Sequence, residues 1–342
     1  MKLGILKSFK ELAPLVDSYR DACEYLKVDY VILDLFADGW IEKIRQSGVD
    51  GVLVRVKGNI QEHKSCFDER LSIIEEDLGI PTYPSRKELF LYENKRMYAY
   101  FLDTYKYPHP QTYVFYNKKQ ALEFVENTKY PIVFKTNGGA SGSGVEIVTR
   151  KSHARRNVQK IFGRIEPRLT FGKVFWTKYK SIIPIPKLGM IQKHYAIIQE
   201  YIPIKWEWRI IKIGESYFGH QKLLKGQFAS GSGRVGWVEP PKELLFLIKN
   251  ICEKHQFDSM AMDVLESKDG EFYINELQSL FGSFLPYQMR IDDIPGRFIF
   301  KENDFVFEEG EFNMINSNVL RVSDFMKKIN DGYYRRKDGK QA

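Results

Sequence analysis

The run Phe134-Lys135-Thr136-Asn137-Gly138-Gly139-Ala140-Ser141-Gly142-Ser143-Gly144 lies between Pro131-Ile132-Val133 and Val145-Glu146-Ile147-Val148. Four glycines in seven positions permit positive φ and close backbone approach, and a lysine stands just before them. Such a loop suits a polyphosphate. It is not a P-loop, which needs Lys-Ser/Thr after the glycines and a following helix; a dinucleotide fingerprint also opens a helix. Here the chain continues with strand-like residues, so the glycines join two antiparallel strands. A protein-kinase loop is a hairpin too, but its lysine comes later and its HRD and DFG signatures are absent from this chain. A plain polar turn fits the same residues, so the loop takes its meaning from what accompanies it.

With 342 residues, 43% hydrophobic and 14% aromatic, the chain can build two or three packed units. It holds no run of about 18 apolar residues to span a bilayer, and its start is too short and strand-like for a signal peptide. A cytoplasmic protein without membrane insertion is expected. Cys23, Cys66 and Cys252 are odd in number, far apart and without metal spacing, which reads as buried reduced thiols. Net charge is +8, and twelve of the basic residues fall between Arg150 and His194 against one acid, Glu166. With its prolines and aromatic residues, 150–195 reads as an irregular basic insertion. It suits an anionic partner such as an acidic peptide or anionic glycan, or simply a solvated face. No nucleic-acid motif accompanies it, which disfavours nucleic acid.

Strand patterns at 3–6, 30–33 and 51–56 alternate with helical patterns at 11–26, 39–47 and 68–78, as in a small, largely parallel α/β unit. Arg55 ends one of these strands, where ligands of open α/β sheets tend to bind; a surface ion pair would use it equally well. Asn94 is a good N-cap for a helix opening on Lys95. A lysine at the positive end of a helix dipole costs little when an anion sits beside it.

Further on, Ala196-Ile197-Ile198-Gln199-Glu200-Tyr201-Ile202-Pro203 reads as a buried strand leading into a link between two lobes. A hairpin over 206–213 and 216–223 turns at Gly214-Glu215. Period-two alternation sets Glu207 opposite Lys222 and Arg209 opposite His220, all on one face. Strands over 259–265 and 271–278 turn around Asp269-Gly270 and set Asp263 opposite Glu276, with Gln278 on the same face. Two adjacent carboxylates repel unless a cation or proton lies between them, and hard oxygen ligands suit Mg²⁺.

The order of these parts, from Lys2 to about Gly282, resembles the ATP-grasp superfamily of carboxylate-activating ligases. The nearest branch is that of glutathione synthetase and the ligases that add amino acids to peptides or proteins. The resemblance implies a Rossmann-like N-terminal α/β domain (1–90) and a two-lobed ATP-grasp domain with antiparallel sheets, its lobes at 91–198 and 199–305, then a C-terminal tail at 306–342. It implies that Lys95 and Lys135 contact the ATP phosphates, while Gly138, Gly139, Ser141, Gly142, Ser143 and Gly144 close over them. Glu200 would accept from the adenine amino group, with the Tyr201 and Ile202 backbone reading its edge, and Glu207 would hold the ribose. Arg209 and Lys222 would face the phosphates or acyl phosphate. Asp263, Glu276 and Gln278 would bind Mg²⁺, or alternatively Mn²⁺; the family usually has Asn where this chain has Gln278.

A carboxylate is a poor electrophile, and ATP would activate it as an acyl phosphate for attack by an amine or thiol. The expected enzyme is an ADP-forming carboxylate–amine ligase. His220 is a candidate for assisting the nucleophile, and an ordinary strand histidine fits it as well. The same site also suits a phosphotransferase, or a non-catalytic nucleotide-regulated module that binds an anionic polymer. Around the acceptor, Ser230-Gly231-Ser232-Gly233-Arg234 could form a lid and Arg290 and Arg297 could hold carboxylates, although surface roles fit all three.

Overall fold

A computed structural model describes residues 1–7, 13–55, 61–138, 144–163, 194–229, 233–283 and 285–334. The chain opens as β1 (Lys2–Leu6), α1 (Ala13–Tyr25), β2 (Asp29–Leu33), α2 (Trp40–Ser47), β3 (Gly51–Leu53), α3 (Gln61–Ser72), β4 (Thr82–Tyr83) and α4 (Arg86–Leu91). The strands form a parallel sheet in the order β2-β1-β3-β4. Both faces are covered, as parallel sheets require. Leu6, Val52 and Val54 pack with Ile44, Phe67 and Leu71, while Leu3, Ile5 and Leu53 pack with Tyr19 and Cys23. The third helix begins at Gln61, earlier than the expected 68, and Ile73–Asp77 continue it as a wider π-turn.

A small antiparallel sheet follows. It comprises β5 (Thr112–Phe115), β6 (Ile132–Lys135), β7 (Val145–Val148) and β8 (Ala196–Glu200), in the order β5-β8-β6-β7. Helix α5 (Lys95–Tyr105) precedes it, and α6 (Lys118–Asn127) and α7 (Lys151–Ile161) lie on its sequence path. Alternation decides its faces. Ile132, Phe134, Val148, Ala196 and Ile198 pack on Ala121, Val125, Ala154 and Val158 of α6 and α7, which sends Val133, Lys135, Ile147 and Gln199 the other way.

The large antiparallel sheet carries β9 (Ile204–Ile213), β10 (Ser216–Lys222), β11 (Val235–Gly236), β12 (Ser259–Ser267), β13 (Phe272–Gln278), β14 (Arg290–Ile291), β15 (Ile294–Lys301) and β16 (Asp304–Glu309). Its order is β13-β12-β9-β10-β15-β14, with β11 on β10 and β16 on β15. Helix α8 (Lys242–His255) supplies Leu244, Leu245, Ile248 and Ile251 to a core with Trp208, Ile210, Met260, Met262 and Val264. The burial of these strand residues turns Glu207, Arg209 and Asp263 to the opposite face.

The last helix, α9 (Asn318–Asn330), returns to the N-terminal sheet, where Val322 and Phe325 join Leu3, Ile5 and Tyr19. The segmentation expected from sequence therefore needs two corrections. A boundary at 198/199 cuts β8, and one at 305/306 cuts β16, whose Phe305 and Phe307 pair with Phe300 and Phe298. Residues 306–334 are integral to the fold, because β16 completes a sheet edge and α9 fills a core. Most of the basic insertion, 164–193, lies outside the described residues. All three cysteines are free; Cys23 and Cys252 are buried and Cys66 is half-buried. Among the described residues no helix is long and apolar enough to cross a membrane.

Candidate active site

A cleft of about 320 Å³ lies between the small and large sheets, within the size range of small-molecule sites. Val133 and Lys135 of β6, Val145 and Ile147 of β7 and Gln199 and Glu200 of β8 form one wall. Glu207 and Arg209 of β9, Lys222 of β10, Asp263 of β12 and Glu276 and Gln278 of β13 form the other. Tyr201 and Ile202, which link the two sheets, join the lining with Phe228 and Ala229. One end is apolar and the other is densely charged.

Strand register brings the charges together. Glu207 pairs with Lys222 and Arg209 with His220 across β9 and β10, while Asp263 lies opposite both Arg209 and Glu276. Arg209 donates to Asp263 twice, Nε to Oδ1 at 2.8 Å and NH2 to Oδ2 at 2.9 Å, and reaches Gln278 Oε1 at 3.4 Å. Lys222 Nζ donates to Asp263 Oδ2 at 2.8 Å and to Glu207 Oε1. From the other wall, Lys135 Nζ donates to Asn275 Oδ1 at 3.1 Å, and Lys95 Nζ stands 4.0 Å from Glu276 Oε1.

Burial disfavours charge throughout this network, and the partners decide which groups keep it. Burial pushes Asp263 up, but Arg209 and Lys222 outweigh it and hold its carboxyl well below the usual range. Against the same burial, Asp263 keeps Arg209 and Lys222 above their ordinary values. Glu207 is raised by burial, which Lys222 only partly offsets. Burial and the nearby Lys95 lower Lys135 to about 8, against the pull of Glu276 and Glu207.

Lys95 owes its position to a double cap. Asn94 Oδ1 accepts from Met97 N at 3.4 Å, while Asn137 of the glycine hairpin takes both next amides: its carbonyl accepts from Lys95 N at 3.0 Å and its Oδ1 from Arg96 N at 2.9 Å. The hairpin is thereby tied to the start of α5. At its far end Gly144 has φ of +77°, and a Cβ there would collide with Thr136 Oγ1. Thr136 closes the loop by donating from N to the Gly144 carbonyl at 2.8 Å and from Oγ1 to that of Gly138 at 2.7 Å. Gly139, Ser141, Gly142 and Ser143 lie outside the described residues, as do residues 230–232 of the second small-residue loop.

Eleven of the residues singled out from sequence line this cleft, from Lys95 to Gln278. His220 does not. Its buried ring has Nδ1 2.9 Å from the Gln288 carbonyl and lies against Trp237, and burial with Arg209 nearby lowers it to about 4. Arg297 pairs with Glu308 and Arg290 with Asp293, so both are engaged within the β14–β16 edge. Asn275, which sequence reasoning passed over, also lines the cleft. Strict alternation sends it away from Glu276, but the register shifts between Asp263 and Val264, so Val264 pairs with Ile274 and Asn275 is the extra residue of a bulge. No pattern in the residue types announces such a shift.

Among the described residues no group of three or more His, Cys, Asp or Glu side chains is set to hold a metal ion. Asp263, Glu276 and Gln278 instead offer two carboxylates and an amide oxygen. This all-oxygen set fits a hard cation such as Mg²⁺, which keeps several waters and shares substrate phosphates. Asp263 Oδ1 accepts one hydrogen bond and so retains a lone pair.

No family model matches the chain. Over 234 residues it is 31% identical to the alpha-aminoadipate–LysW ligase LysX of Saccharolobus solfataricus, covering 66% of this chain and 74% of that protein. Its fold is similar to that of D-alanine–D-alanine ligase from Bacillus anthracis, with a TM-score of 0.58, 14% identity and coverage of 98% and 99% of the two chains. It is also similar to a RiPP-associated ATP-grasp ligase of Chryseobacterium gregarium, solved with ADP and a leader and core peptide; the TM-score is 0.52, with 13% identity and 81% and 89% coverage. Relationship in sequence and likeness in fold agree: the chain belongs to the ATP-grasp ligases.

Proposed function

We propose that this ligase joins a carboxylate to the amine of a peptide or protein, forming ADP through an acyl phosphate. The observation that carries the reading is the convergence of Lys95 and Lys135 from one wall on Glu276, Gln278 and Asp263 of the other. Cations and oxygen ligands facing each other across one cleft are what a transferring phosphoryl group needs. A peptide acceptor is favoured over an anionic glycan, because the relatives' names include LysW and a leader and core peptide.

In this reading the adenine takes the apolar end, against Val133, Ile147 and Leu265, with the Tyr201–Ile202 backbone along its edge. Glu200 Oε2 accepts from Gln111 N at 3.4 Å, which steadies the carboxylate proposed to receive the adenine amino group. Glu207 is held by Lys222 and Asn275 where the ribose would lie. Lys95 and Lys135 screen the phosphates, so that a carboxylate oxygen can attack the γ-phosphorus as its bond to ADP breaks. Arg209 and Lys222 then hold the acyl phosphate. The amine attacks the acyl carbon, loses a proton and expels phosphate. Asp263, Glu276 and Gln278 would hold Mg²⁺, which supplies charge neutralisation at the phosphate oxygens when bound.

The neutral, enclosed His220 has no part in this scheme. The reading is tested with a ¹⁸O-labelled carboxylate substrate. Transfer of one label to the released phosphate, together with ADP, supports the acyl phosphate; AMP and pyrophosphate as products would refute it.

A further inference from the structure

We propose that Asn275 is a positioning residue for the nucleotide, holding Lys135 of the glycine-hairpin strand toward the phosphate end of the cleft from the opposite sheet. The inference rests on the ATP-ligase reading above. Asn275 Oδ1 accepts from Lys135 Nζ at 3.1 Å, and its Nδ2 donates to Glu207 Oε2 at 3.0 Å. One amide thus joins a cation of the small sheet to a carboxylate of the large one.

The backbone is arranged to present that amide. At the bulge, Ile274 N donates to the Pro108 carbonyl at 2.8 Å, and the Ile274 carbonyl accepts from the buried Tyr98 hydroxyl of α5 at 3.3 Å. Fixing Ile274 on both sides leaves Asn275 directed into the cleft beside Glu276, where it lines the same wall as Gln278. Bulges commonly re-aim a side chain in this way next to functional sites.

The choice of an amide matters. Among the described residues no carboxylate lies within ion-pair distance of Lys135, whereas Lys95 has Glu276. A neutral acceptor orients the ammonium without pairing its charge, so the group can still bind an incoming phosphate as a cation. A carboxylate in the same place would compete with that phosphate.

The test measures binding of AMPPNP with Mg²⁺ by calorimetry to the wild type, Asn275→Ala, Lys135→Ala and the double variant, with thermal midpoints recorded for each. A hydrogen bond to a charged group is commensurate with about a tenfold loss of affinity in Asn275→Ala. The double variant should bind no more weakly than Lys135→Ala, because the two residues act as one unit. Should Asn275→Ala fail to fold, Asn275→Thr, with a β-branched side chain suited to a strand, carries the same expectation.

Wild-type affinity in Asn275→Ala, or a full additional loss in the double variant, would overturn the proposal while Lys135→Ala still weakens binding. Absence of binding by the wild type would instead overturn the underlying ligase reading.

Discussion

Arg209 grips Asp263 at two points from the neighbouring strand, at 2.8 and 2.9 Å, and Lys222 holds the same carboxylate from the next strand at 2.8 Å. Three strands are therefore linked through one buried acid. Arg209→Ala removes two charge-assisted hydrogen bonds and leaves Lys222 as the remaining cation on Asp263, so it should cost about 3 kcal/mol in urea unfolding. Asp263, held below its ordinary 3.8, contributes stability that is fully present above about pH 4 and is lost as pH falls through its folded value. Burial raises Glu207 instead, so its protonation works in the opposite direction. The quantity to follow is the difference between wild type and Asp263→Asn, which should shrink below pH 4.

Lys135 carries a pH signal of its own. Its pKa of about 8 is depressed from 10.5, so its charge opposes folding below pH 8, and that cost is relieved as pH rises from 8 toward 10.5. A phosphate favours the protonated form. Nucleotide binding should therefore take up a proton near pH 8 and weaken at higher pH. Calorimetry in two buffers of different ionisation enthalpy measures the uptake, and Lys135→Met should abolish it.

Glu276→Gln separates function from stability. Asp263 is already paired with two cations, so relief of carboxylate repulsion contributes little, and Lys95 is 4.0 Å away. The variant should unfold within about 1 kcal/mol of wild type, as expected for loss of a weak ion pair, while ligase turnover disappears. Turnover near the wild-type rate would remove Glu276 from the proposed metal ligands.

Packing of α9 gives a test unconnected with catalysis. A Cβ at Gly51 would run into the Phe325 ring, which is fully buried between α9 and the parallel sheet. Gly51→Ala must displace the helix and should cost about 2 kcal/mol, read from the urea midpoint. An unchanged midpoint would mean that α9 is held less tightly than its packing implies.

Much of the site was legible because antiparallel strands alternate faces. Two-residue spacing in Glu207-Trp208-Arg209 is enough to send both polar groups one way and the indole the other. The same logic paired Glu207 with Lys222 and Asp263 with Glu276, and both pairs occur. It failed at Asn275, where a bulge adds a residue without any signal in residue type. It also placed His220 with the site group, although the ring is held against the Gln288 carbonyl outside the cleft lining. The return of α9 was equally hidden, since Val322 and Phe325 reveal an apolar face but not the distant sheet that receives it. Asn137 resembled a loop residue until its two bonds to the start of α5 gave it a capping role.

The central claim, that ATP activates a carboxylate in this cleft, is tested most directly by incubating the protein with ATP, Mg²⁺, a panel of amino-acid and peptide carboxylates, and hydroxylamine as a general nucleophile. The account predicts a hydroxamate and ADP in equal amounts with at least one acid, and neither product above background with Glu276→Gln. ADP accompanied by a stable phosphorylated product, with no hydroxamate from any acid, would contradict it.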